Sequence, residues 1–586
     1  MTATYKIGGD GIPGMKIFYA YSHEMGVSGK GTEYCFTVFS KSSYLKIHLY
    51  CDDECKKATT IELDESFKRG SVFAVRVVGV ELAGLKYLFE DENGIFCDPY
   101  TKKCFQREGV CGDEYVGIIV EDTTQDDYCP RPMIPANELV MYKIHVKGFT
   151  KDRFSKVKNK GTYRGVVEKI PYLVDLGINA IELMPAYEFY DNGIMKNYWG
   201  YAEGLYFTPK TAYCATKDCI AEFSEMVQEL HKNNIDVYME FFFPEKIMTS
   251  TIVQCLRYWH EFYHIDGFHV ICDGDKAEQI SGDFFLTDAR LFRSNWNARE
   301  DRGNLVEYND GFLEVARHML KGDEDMLSKF LYAMRKNPAQ GGVVNYIANN
   351  NGFTLNDVFS YDRKHNEENG EGNRDGVDYN LSWNCGVEGV TKKKKINELR
   401  NLLAQNAMVM LMTAQGIPLI YSGDEFLNSQ NGNNNAYCQD NETGWVNWNQ
   451  LNRNIKFHDF VKKMIAFRKA HGALHMTNEP YLMDYKYVGQ PDVSYHSSKA
   501  WYPDLENYNR HVGILTCGIY NDEDEDVYVV FNMHWEPHEL ALPGIRGKYW
   551  EVYLSTGKMP ANPESTDKCI EVDARTAVVL LCKKNS

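Results

Sequence analysis

An apolar run near the middle of the chain ends in carboxylates, which are reactive groups held at a defined position by the run before them. The run lies within residues 266–275, and its alternating pattern predicts a buried strand with His269, Ile271 and Asp273 on one face. Glu240 stands in a second apolar run of the same kind. A carboxylate at the end of a buried strand can serve as a nucleophile, a general acid or a general base. We therefore expect any chemistry of the chain at the ends of these strands.

Strand-like runs alternate with amphipathic helices between residues 142 and 421, a pattern typical of a parallel α/β barrel. One of the eight strands that such a barrel needs is not located. The predicted strands cover residues 142–150, 178–185, 235–243, 266–275, 284–287, 343–348 and 417–421. Long segments at 363–389 and 422–448 follow the last two, and segments of that length on a compact scaffold commonly bind or catalyse.

Short β-rich runs separated by turn clusters precede and follow this region. Between residues 34 and 100 they are typical of a small antiparallel sandwich, and β-runs at 526–532 and 577–582 predict a C-terminal all-β domain. The predicted fold class is α/β, a (β/α)8 TIM barrel flanked by an N-terminal β-sandwich and a C-terminal all-β domain. The predicted domains are an N-terminal β-sandwich (1–125), the barrel (126–470) and a C-terminal β-sandwich (471–586).

The composition excludes several classes of partner. The 586 residues carry a net charge of −18, with 64 Lys and Arg against 82 Asp and Glu, so we expect neither a nucleic-acid partner nor an anionic membrane surface. No run reaches the ~20 apolar residues of a membrane span, and the first residues lack the apolar stretch of a signal peptide, so a cytoplasmic location is expected. The 16 cysteines form no CxxC pair and are expected to be reduced. We expect no metal and no cofactor.

Several sequence motifs carry a resemblance to a known family. They are YKIHVKGFT at 142–150, NYWGY at 197–201, NLSWNCGVEG at 380–389 and the longer segments 352–376 and 422–448. Together they resemble the isoamylase and glycogen-debranching branch of glycoside hydrolase family 13, and residues 34–100 resemble a family 48 carbohydrate-binding module. The resemblance implies an α-amylase-type barrel between two β domains and an α-glucan ligand, whereas the periodicity predicts only the architecture.

The resemblance also implies where catalytic groups would stand, and each of these positions carries a different residue here. The substituted positions are Ile271 (nucleophilic Asp), His269 (Arg), Asp288 (Glu general acid), Asn350 and Asn351 (a His-Asp pair), and Glu240, Pro244 and Glu245 (the Asp, Asn and His of the third strand). Retaining hydrolysis needs two carboxyl groups about 5 to 5.5 Å apart. Isoleucine offers no lone pair to an anomeric carbon, so the substitutions predict loss of the hydrolytic centre.

Three hypotheses remain open at this point. The first is a non-catalytic debranching homologue that binds glucan or regulates an active enzyme. The second is an active α-1,6-glucosidase, or another α-glucan-acting hydrolase, that uses the displaced carboxylates Asp273, Asp288 or Glu240. Asp273 lies two residues beyond Ile271, which is roughly 6.6 Å along a strand. The third is a structural subunit without sugar binding. We favour the first, because all the matched positions differ together while the surrounding motifs stay recognisable.

Aromatic and amide side chains form the predicted ligand-binding set. Tyr198, Trp199 and Tyr201 offer apolar ring faces on which a glucose ring can stack. Asn434, Asn435 and Tyr437 supply hydrogen-bond donors and acceptors for hydroxyl groups. The same side chains could instead pack a core or hold the backbone of a long loop. The expected ligand is an α-glucan (glycogen, starch or a maltooligosaccharide), and the first hypothesis allows an active debranching homologue as a partner.

Overall fold

The computed structural model describes most of the 586-residue chain. The described residues are 5–8, 12–21, 24–51, 55, 58–107, 115–122, 129–190, 196–296, 303–338, 341–564 and 566–584. The predicted domain boundary at residue 125 lies outside the described residues, and the boundary at residue 470 coincides with the end of a helix. No helix in these ranges is long and apolar enough to cross a membrane.

Two antiparallel sheets form the N-terminal sandwich, as the alternating runs predicted. Apolar residues of both sheets, such as Phe36 from one and Ile47 from the other, are fully buried in one shared core. The strands are Tyr5–Gly8, Lys16–Tyr19, Gly26–Lys30, Glu33–Phe39, Leu45–Tyr50, Ala58–Leu63, Lys68–Arg69, Val72–Val78, Lys86–Asp91, Gly94–Phe96, Cys104–Gln106 and Tyr115–Ile118. The sandwich packs on the barrel through Tyr100, whose ring lies 5.0 Å from that of Phe207.

Eight parallel strands close into a barrel in the described part of the chain, which confirms the predicted fold class. In chain order they are β1 (Met141–Ile144), β2 (Ala180–Leu183), β3 (Asp236–Phe242), β4 (Gly267–Ile271), β5 (Arg290–Arg293), β6 (Leu305–Tyr308), β7 (Val343–Asn345) and β8 (Ile417–Tyr421). A short hairpin of Tyr187–Phe189 and Gly204–Pro209 lies between β2 and β3. The ends of the barrel strands define the two faces on which side chains can meet.

Helices cover the outside of the barrel. They are α1 (Val146–Lys151), α2 (Tyr163–Val167), α3 (Ile170–Leu176), α4 (Cys219–Lys232), α5 (Thr249–Phe262), α6 (Gly274–Ser281), α7 (Asp310–Lys321), α8 (Leu327–Arg335), α9 (Leu355–Val358), α10 (Lys394–Thr413), α11 (Asn449–Arg453) and α12 (Ile455–Ala470). Phe268 and Val270 of β4 point outward into the apolar layer that these helices share, and His269 points the other way. This is the alternation predicted for the strand.

The fifth strand was predicted in the wrong place, and the sixth was not located. Residues 284–287 form a 3-10 turn, Phe284–Leu286, in which Phe284 is 88% exposed and Asp283 accepts a hydrogen bond from the backbone of Phe285. The aromatic run therefore has strand-like composition without a strand's burial. The true fifth strand, β5, is only four residues long and carries arginine at both ends. Short strands with charged ends give little alternation to detect.

Gly267 allows β4 and β5 to approach closely. A Cβ at this position would lie 2.2 Å from the carbonyl oxygen of Arg290, which no side chain can tolerate. A further difference from the sequence expectation is a disulfide between Cys214 and Cys219, in the segment that leads into α4. The expectation that all the cysteines are reduced was wrong for this pair.

A five-stranded antiparallel sheet and a two-stranded sheet form the C-terminal domain within the described residues, as the returning β-runs predicted. The strands are Val493–His496, His511–Thr516, Asp526–Asn532, His538–Ala541, Lys548–Ser555, Cys569–Val572 and Thr576–Lys584. Phe531 of this domain meets Phe330 of α8, with ring centroids 5.3 Å apart. The domain is therefore packed directly on the outer layer of the barrel.

Arg468 fixes the last helix to the barrel, and its replacement should be strongly destabilising. The side chain is 1% exposed and donates hydrogen bonds to the carbonyl oxygens of Met412, Ala414, Leu474 and Gly416. Arg468→Met would leave these carbonyls buried without a donor, so we expect the free energy of unfolding in urea to fall by at least about 3 kcal/mol. Lys456→Met, at an exposed position of the same helix, should change it little. Equal stability of the two variants would contradict the assignment.

Candidate active site

The carboxyl end of β4 presents Ile271 where the nucleophile would stand. Ile271 and Cys272 are half-buried, and Asp273 is exposed. Asp273 is the N-cap of α6, where its Oδ1 accepts a hydrogen bond from the backbone N–H of Asp275 at 3.0 Å. Capping stabilises the helix by about 1 kcal/mol and fixes the direction of the side chain. The first displaced carboxylate therefore has a structural role at the edge of the site.

Asp288 lies on the opposite face of the barrel from the end of β4. It precedes β5, so it stands at the amino end of that strand, and the prediction that placed it at the carboxyl end was wrong. Its carboxylate pairs with Arg131 and accepts a hydrogen bond from His260 at 2.9 Å. Burial would raise the pKa of Asp288, but the hydrogen bonds from these two partners lower it. At the carboxyl end of β5 stand Arg293 and Ser294, and neither can act as a carboxylic acid.

A cluster of four charged side chains fills the centre of the barrel. Lys143, Glu182 and Glu240 are at most 1% exposed, and each comes from a different strand. The ammonium of Lys143 lies 2.7 Å from Glu240 Oε1. His269 Nδ1 lies 2.9 Å from a carboxylate oxygen of both Glu182 and Glu240. Each glutamate thus meets at least one cationic partner, and the two positive groups balance the two negative ones.

Tyrosine hydroxyls complete the hydrogen bonding of this cluster. Tyr308 donates to Glu182, and its ring stacks on the imidazole of His269 with centroids 4.3 Å apart. Tyr201 donates to Glu240 Oε2 at 2.6 Å, and its oxygen accepts a hydrogen bond from Asn350 at 3.2 Å. Two of the predicted site residues, Tyr201 and Asn350, are therefore connected to Glu240 and through it to His269.

The mutual contacts fix the charge states of the central groups. Burial would lower the pKa of His269, but the hydrogen bonds and charges of Glu182 and Glu240 outweigh it and raise the pKa to about 9. Burial would raise the pKa of Glu240, and the charge of Lys143 together with His269 holds it far below its ordinary value instead. At neutral pH the cluster therefore contains an imidazolium between two carboxylates.

The same groups satisfy the distance requirement of a metal site but not its charge requirement. The ligand atoms of Glu182, Glu240 and His269 lie within 4.8 Å of one another. The ammonium of Lys143 lies 2.7 Å from Glu240 Oε1, so a divalent cation at this place would sit beside a buried positive charge that already neutralises one of its ligands. The arrangement fits an internal ion-pair network better than a divalent cation.

The other positions that the resemblance matches to catalytic residues lie around the mouth of the barrel. Asn350 is buried, whereas Asn351 and Glu245 are exposed and Pro244 is half-buried. The backbone carbonyl of Glu245 accepts a hydrogen bond from Lys276, so the end of β3 is tied to α6. Of these four residues, only Asn350 contacts the central network through its side chain, by its hydrogen bond to Tyr201.

Four of the six predicted binding residues come together in one aromatic cluster. Tyr198 and Trp199 are about 95% buried, and they share the cluster with half-buried Tyr201 and Tyr437. Tyr198 stacks on the imidazole of His145 at 3.9 Å between centroids. The ring surface that a ligand can reach therefore belongs to Tyr201 and Tyr437 rather than to Tyr198 and Trp199.

The two predicted asparagines connect the long loops to each other. Asn434 is fully buried, donates to Val377 O and Asn380 Oδ1, both at 2.8 Å, and accepts from Asn366. Asn435 donates to Asp375 Oδ2 at 3.0 Å. These amides hold segment 363–389 against segment 422–448. Stabilising a long loop was the alternative to ligand binding in the sequence analysis.

Sequence reasoning missed Lys143, Glu182 and Tyr308. Two of them carried a signal, since Lys143 and Glu182 are charged residues inside short apolar strands, MYKI and AIEL. A charge within a fully buried strand requires a partner of opposite sign. Lys143 and Glu182 therefore predict a buried ion pair, which the comparison of family positions does not reveal.

Comparisons with known proteins agree with the fold and give its relatives. No family model matches the chain. Isoamylase 1, chloroplastic, from Oryza sativa subsp. japonica is 28% identical over 660 residues, which cover 89% of this chain and 80% of that protein. The glycogen operon protein GlgX homolog of Mycobacterium tuberculosis is 31% identical over 447 residues, covering 61% of this chain and 62% of that protein. The chain is thus homologous to isoamylases and to GlgX proteins.

A solved structure matches the architecture along nearly the whole chain. The D470A mutant of a pullulanase from Paenibacillus barengoltzii, complexed with maltotetraose, superimposes with a TM-score of 0.75 at 18% identity over 97% of this chain and 96% of that chain. At this identity the match establishes the fold. The expected cytoplasmic location stays a prediction, because the rice relative is named as chloroplastic.

The protonation of His269 predicts an unusual pH dependence of stability. Its pKa of about 9 lies above the ~6.5 of an unfolded chain, so its stabilisation is complete below pH ~6.5 and disappears as the pH rises through 9. The shift corresponds to on the order of 3 kcal/mol. Between pH 6 and 10 the wild type should therefore lose about that much more unfolding free energy than His269→Gln, measured by urea denaturation.

His318→Gln provides the control, because His318 lies on the outer helix α7 away from the barrel centre. The difference in unfolding free energy between His318→Gln and the wild type should not change with pH in the way expected for His269→Gln. Parallel stability curves for the wild type and His269→Gln from pH 6 to 10 would mean that His269 is not held as an imidazolium.

Proposed function

We propose that this chain is an α-glucan-binding homologue of isoamylase and GlgX debranching proteins that has lost hydrolysis and serves a binding or regulatory role in glycogen or starch metabolism. The observation that carries the proposal is the buried ion-pair network, in which the glutamates at the barrel centre are neutralised by Lys143 and His269. A carboxylate that attacks or protonates a sugar must be reachable by the sugar. Glu182 and Glu240 are at most 1% exposed.

The absence of a nucleophile at the end of β4 supports the same conclusion. Ile271 has no lone pair to offer, Asp273 is engaged as the cap of α6, and Asp288 belongs to the other face of the barrel. The end of β5 supplies Arg293 and Ser294 instead of an acid. Loss of a nucleophile alone can lower kcat by on the order of 10⁶ in enzymes whose catalytic groups act as a unit.

One observation favours the alternative of an active glycosidase with displaced carboxylates. Ligand oxygens of Glu182 and Glu240 lie within 4.8 Å of each other, near the ~5 to 5.5 Å of a retaining pair. Their use would require the ion pairs with Lys143 and His269 to open. Because removing the partner of a buried charge costs about 3–5 kcal/mol, this second function is the weaker one.

The relatives supply the ligand class. Their names connect them with isoamylase and with a glycogen operon, and the fold match includes a maltotetraose complex. The half-buried rings of Tyr201 and Tyr437 at the barrel mouth suit stacking on a glucose ring. A protein that holds glucan without cleaving it could present the polymer to an active debranching homologue, which is the partner that we propose.

We expect the purified protein to sediment with glycogen but to release neither reducing ends nor linear chains from glycogen or amylopectin. Both are measured on one preparation, by sedimentation and by reducing-sugar and iodine assays. Activity that survives purification and disappears in Glu182→Gln or Asp273→Asn would establish the glycosidase alternative. Failure to sediment with glycogen would favour a structural subunit without sugar binding.

The aromatic surface at the barrel mouth should carry part of the glucan affinity. Tyr437→Ala removes a half-buried ring while its backbone carbonyl can still accept the hydrogen bonds from Tyr198 and Trp199, at 2.7 and 3.1 Å. We expect at least a fivefold loss of glycogen affinity, about 1 kcal/mol, in a sedimentation titration. Tyr332→Ala, which removes a 52% exposed ring from α8, is the matched control. Equal affinities of the two variants would place the glucan site elsewhere.

A further inference from the structure

A cavity of about 440 Å³ lies outside the barrel, at the bases of the two long segments 363–389 and 422–448. Its walls come from α9, α10, α11 and the segment that follows β8. The amide side chains that line it are Asn356, Asn397, Asn401, Asn431, Gln450 and Asn454. A cavity of this size lies within the range of small-molecule sites, roughly 300 to 1,000 Å³. It is separate from the cluster at the barrel centre, with which it shares no residue.

The chemistry of the lining selects a neutral ligand. Each amide offers both donors and an acceptor, which matches a hydroxyl group that also donates and accepts. Arg400 is the charged residue among the described residues that line the cavity. Its Nη1 donates to Gly389 O at 2.7 Å and its Nη2 to Asn384 O at 2.9 Å, so these guanidinium nitrogens already have partners. With no acidic residue in the lining, a cation is not favoured. An anion such as phosphate would need the guanidinium of Arg400, whose Nη atoms donate to backbone carbonyls and whose Nε is buried.

Some of the amides have hydrogen-bonding capacity to spare. Asn454 donates to Phe426 O and Asn397 to Thr391 O, both at 2.9 Å. The half-buried amides of Asn401 and Gln450, by contrast, have no side-chain hydrogen-bond partner among the described residues. Phe359 and Tyr361 also line the cavity but are only 2% and 7% exposed, so the amides carry the contacts to a ligand. Amide donors and acceptors without protein partners match the hydroxyl groups of a sugar.

The cavity also lies where segment 363–389 leaves the barrel and returns to it. Tyr361 precedes this segment, Val390 and Thr391 follow it, and all three line the cavity. Gly389 N donates to Ser360 O at 2.7 Å, which closes the base of the loop. Leu427, Ser429 and Asn431 of the second long segment form another part of the wall. An occupant would therefore contact the bases of both loops at once.

We propose that this cavity binds a neutral monosaccharide or disaccharide, separately from any glucan at the barrel mouth. Occupancy adds contacts between α10, α11 and the bases of the two loops, so it should make these segments open less often. The inference concerns direct binding of a small sugar and does not depend on glycogen affinity or on hydrolysis.

The test uses the full chain with D-glucose and maltose as probes in calorimetric titrations. We expect Asn401→Leu and Gln450→Leu each to weaken binding of at least one probe by tenfold or more, because each removes amide groups from the cavity wall. Lys395→Ala, at an exposed position of α10, and Tyr437→Ala, at the barrel mouth, should leave it unchanged. Thermal unfolding checks that each variant is folded.

Hydrogen exchange locates the sugar independently of the variants. Saturating probe should slow amide exchange in α9, α10 and α11 and at residues 427–431. Absence of both heat and protection with both sugars would overturn the proposal. Binding that is lost in Tyr437→Ala but kept in Asn401→Leu would assign the sugar to the barrel mouth and would overturn it as well.

Discussion

The balance of charge at the barrel centre is the constraint on which the rest of the site depends. Lys143, Glu182, Glu240 and His269 come from β1, β2, β3 and β4 in turn, so one network connects four consecutive strands. Burying a single charge costs several kcal/mol, and only partners of opposite sign repay it. The two carboxylates therefore need both cations, and it is the fold that keeps His269 protonated at neutral pH, where an imidazole in water is mostly uncharged.

The long loops depend on a second set of buried polar contacts, which amide, hydroxyl and carboxylate groups supply. Asp357 accepts hydrogen bonds from Ser429 Oγ at 2.6 Å and from Gln430 N at 2.8 Å, which fastens the segment after β8 to α9. Asn366 and Asn434 join the two segments directly. These contacts occupy the amides that the sequence analysis assigned to a ligand. The recognisable loop motifs therefore stabilise the shape of the barrel mouth, and they do not by themselves show what binds there.

Sequence patterns predicted the elements that extend over many residues. They failed for elements whose position in the chain is set by only a few residues. The barrel and both β domains followed from periodicity, and β4 was placed correctly with the right face inward. The fifth strand was misplaced because the aromatic turn at Phe284 resembles a strand more than the four residues of β5 do. As a result, Asp288 was predicted at the carboxyl end of the strand, whereas it lies at the amino end. Lys143 and Glu182 could be recognised as buried charges, but the groups with which they pair could not, since pairing across a barrel depends on its closure.

The charge network also bears on whether one carboxylate at the end of β4 would be enough to create a hydrolytic centre. A carboxylate at residue 271 would add a third anion beside a network that is already neutral, and His269 is committed to Glu182 and Glu240. Burial raises the pKa of such a carboxyl group and favours its uncharged form, and the two cations of the network already pair with Glu182 and Glu240. The end of β5 would still present Arg293 and Ser294. Catalytic groups that act as a unit are non-additive, so chemistry here requires the network and the strand ends to change together.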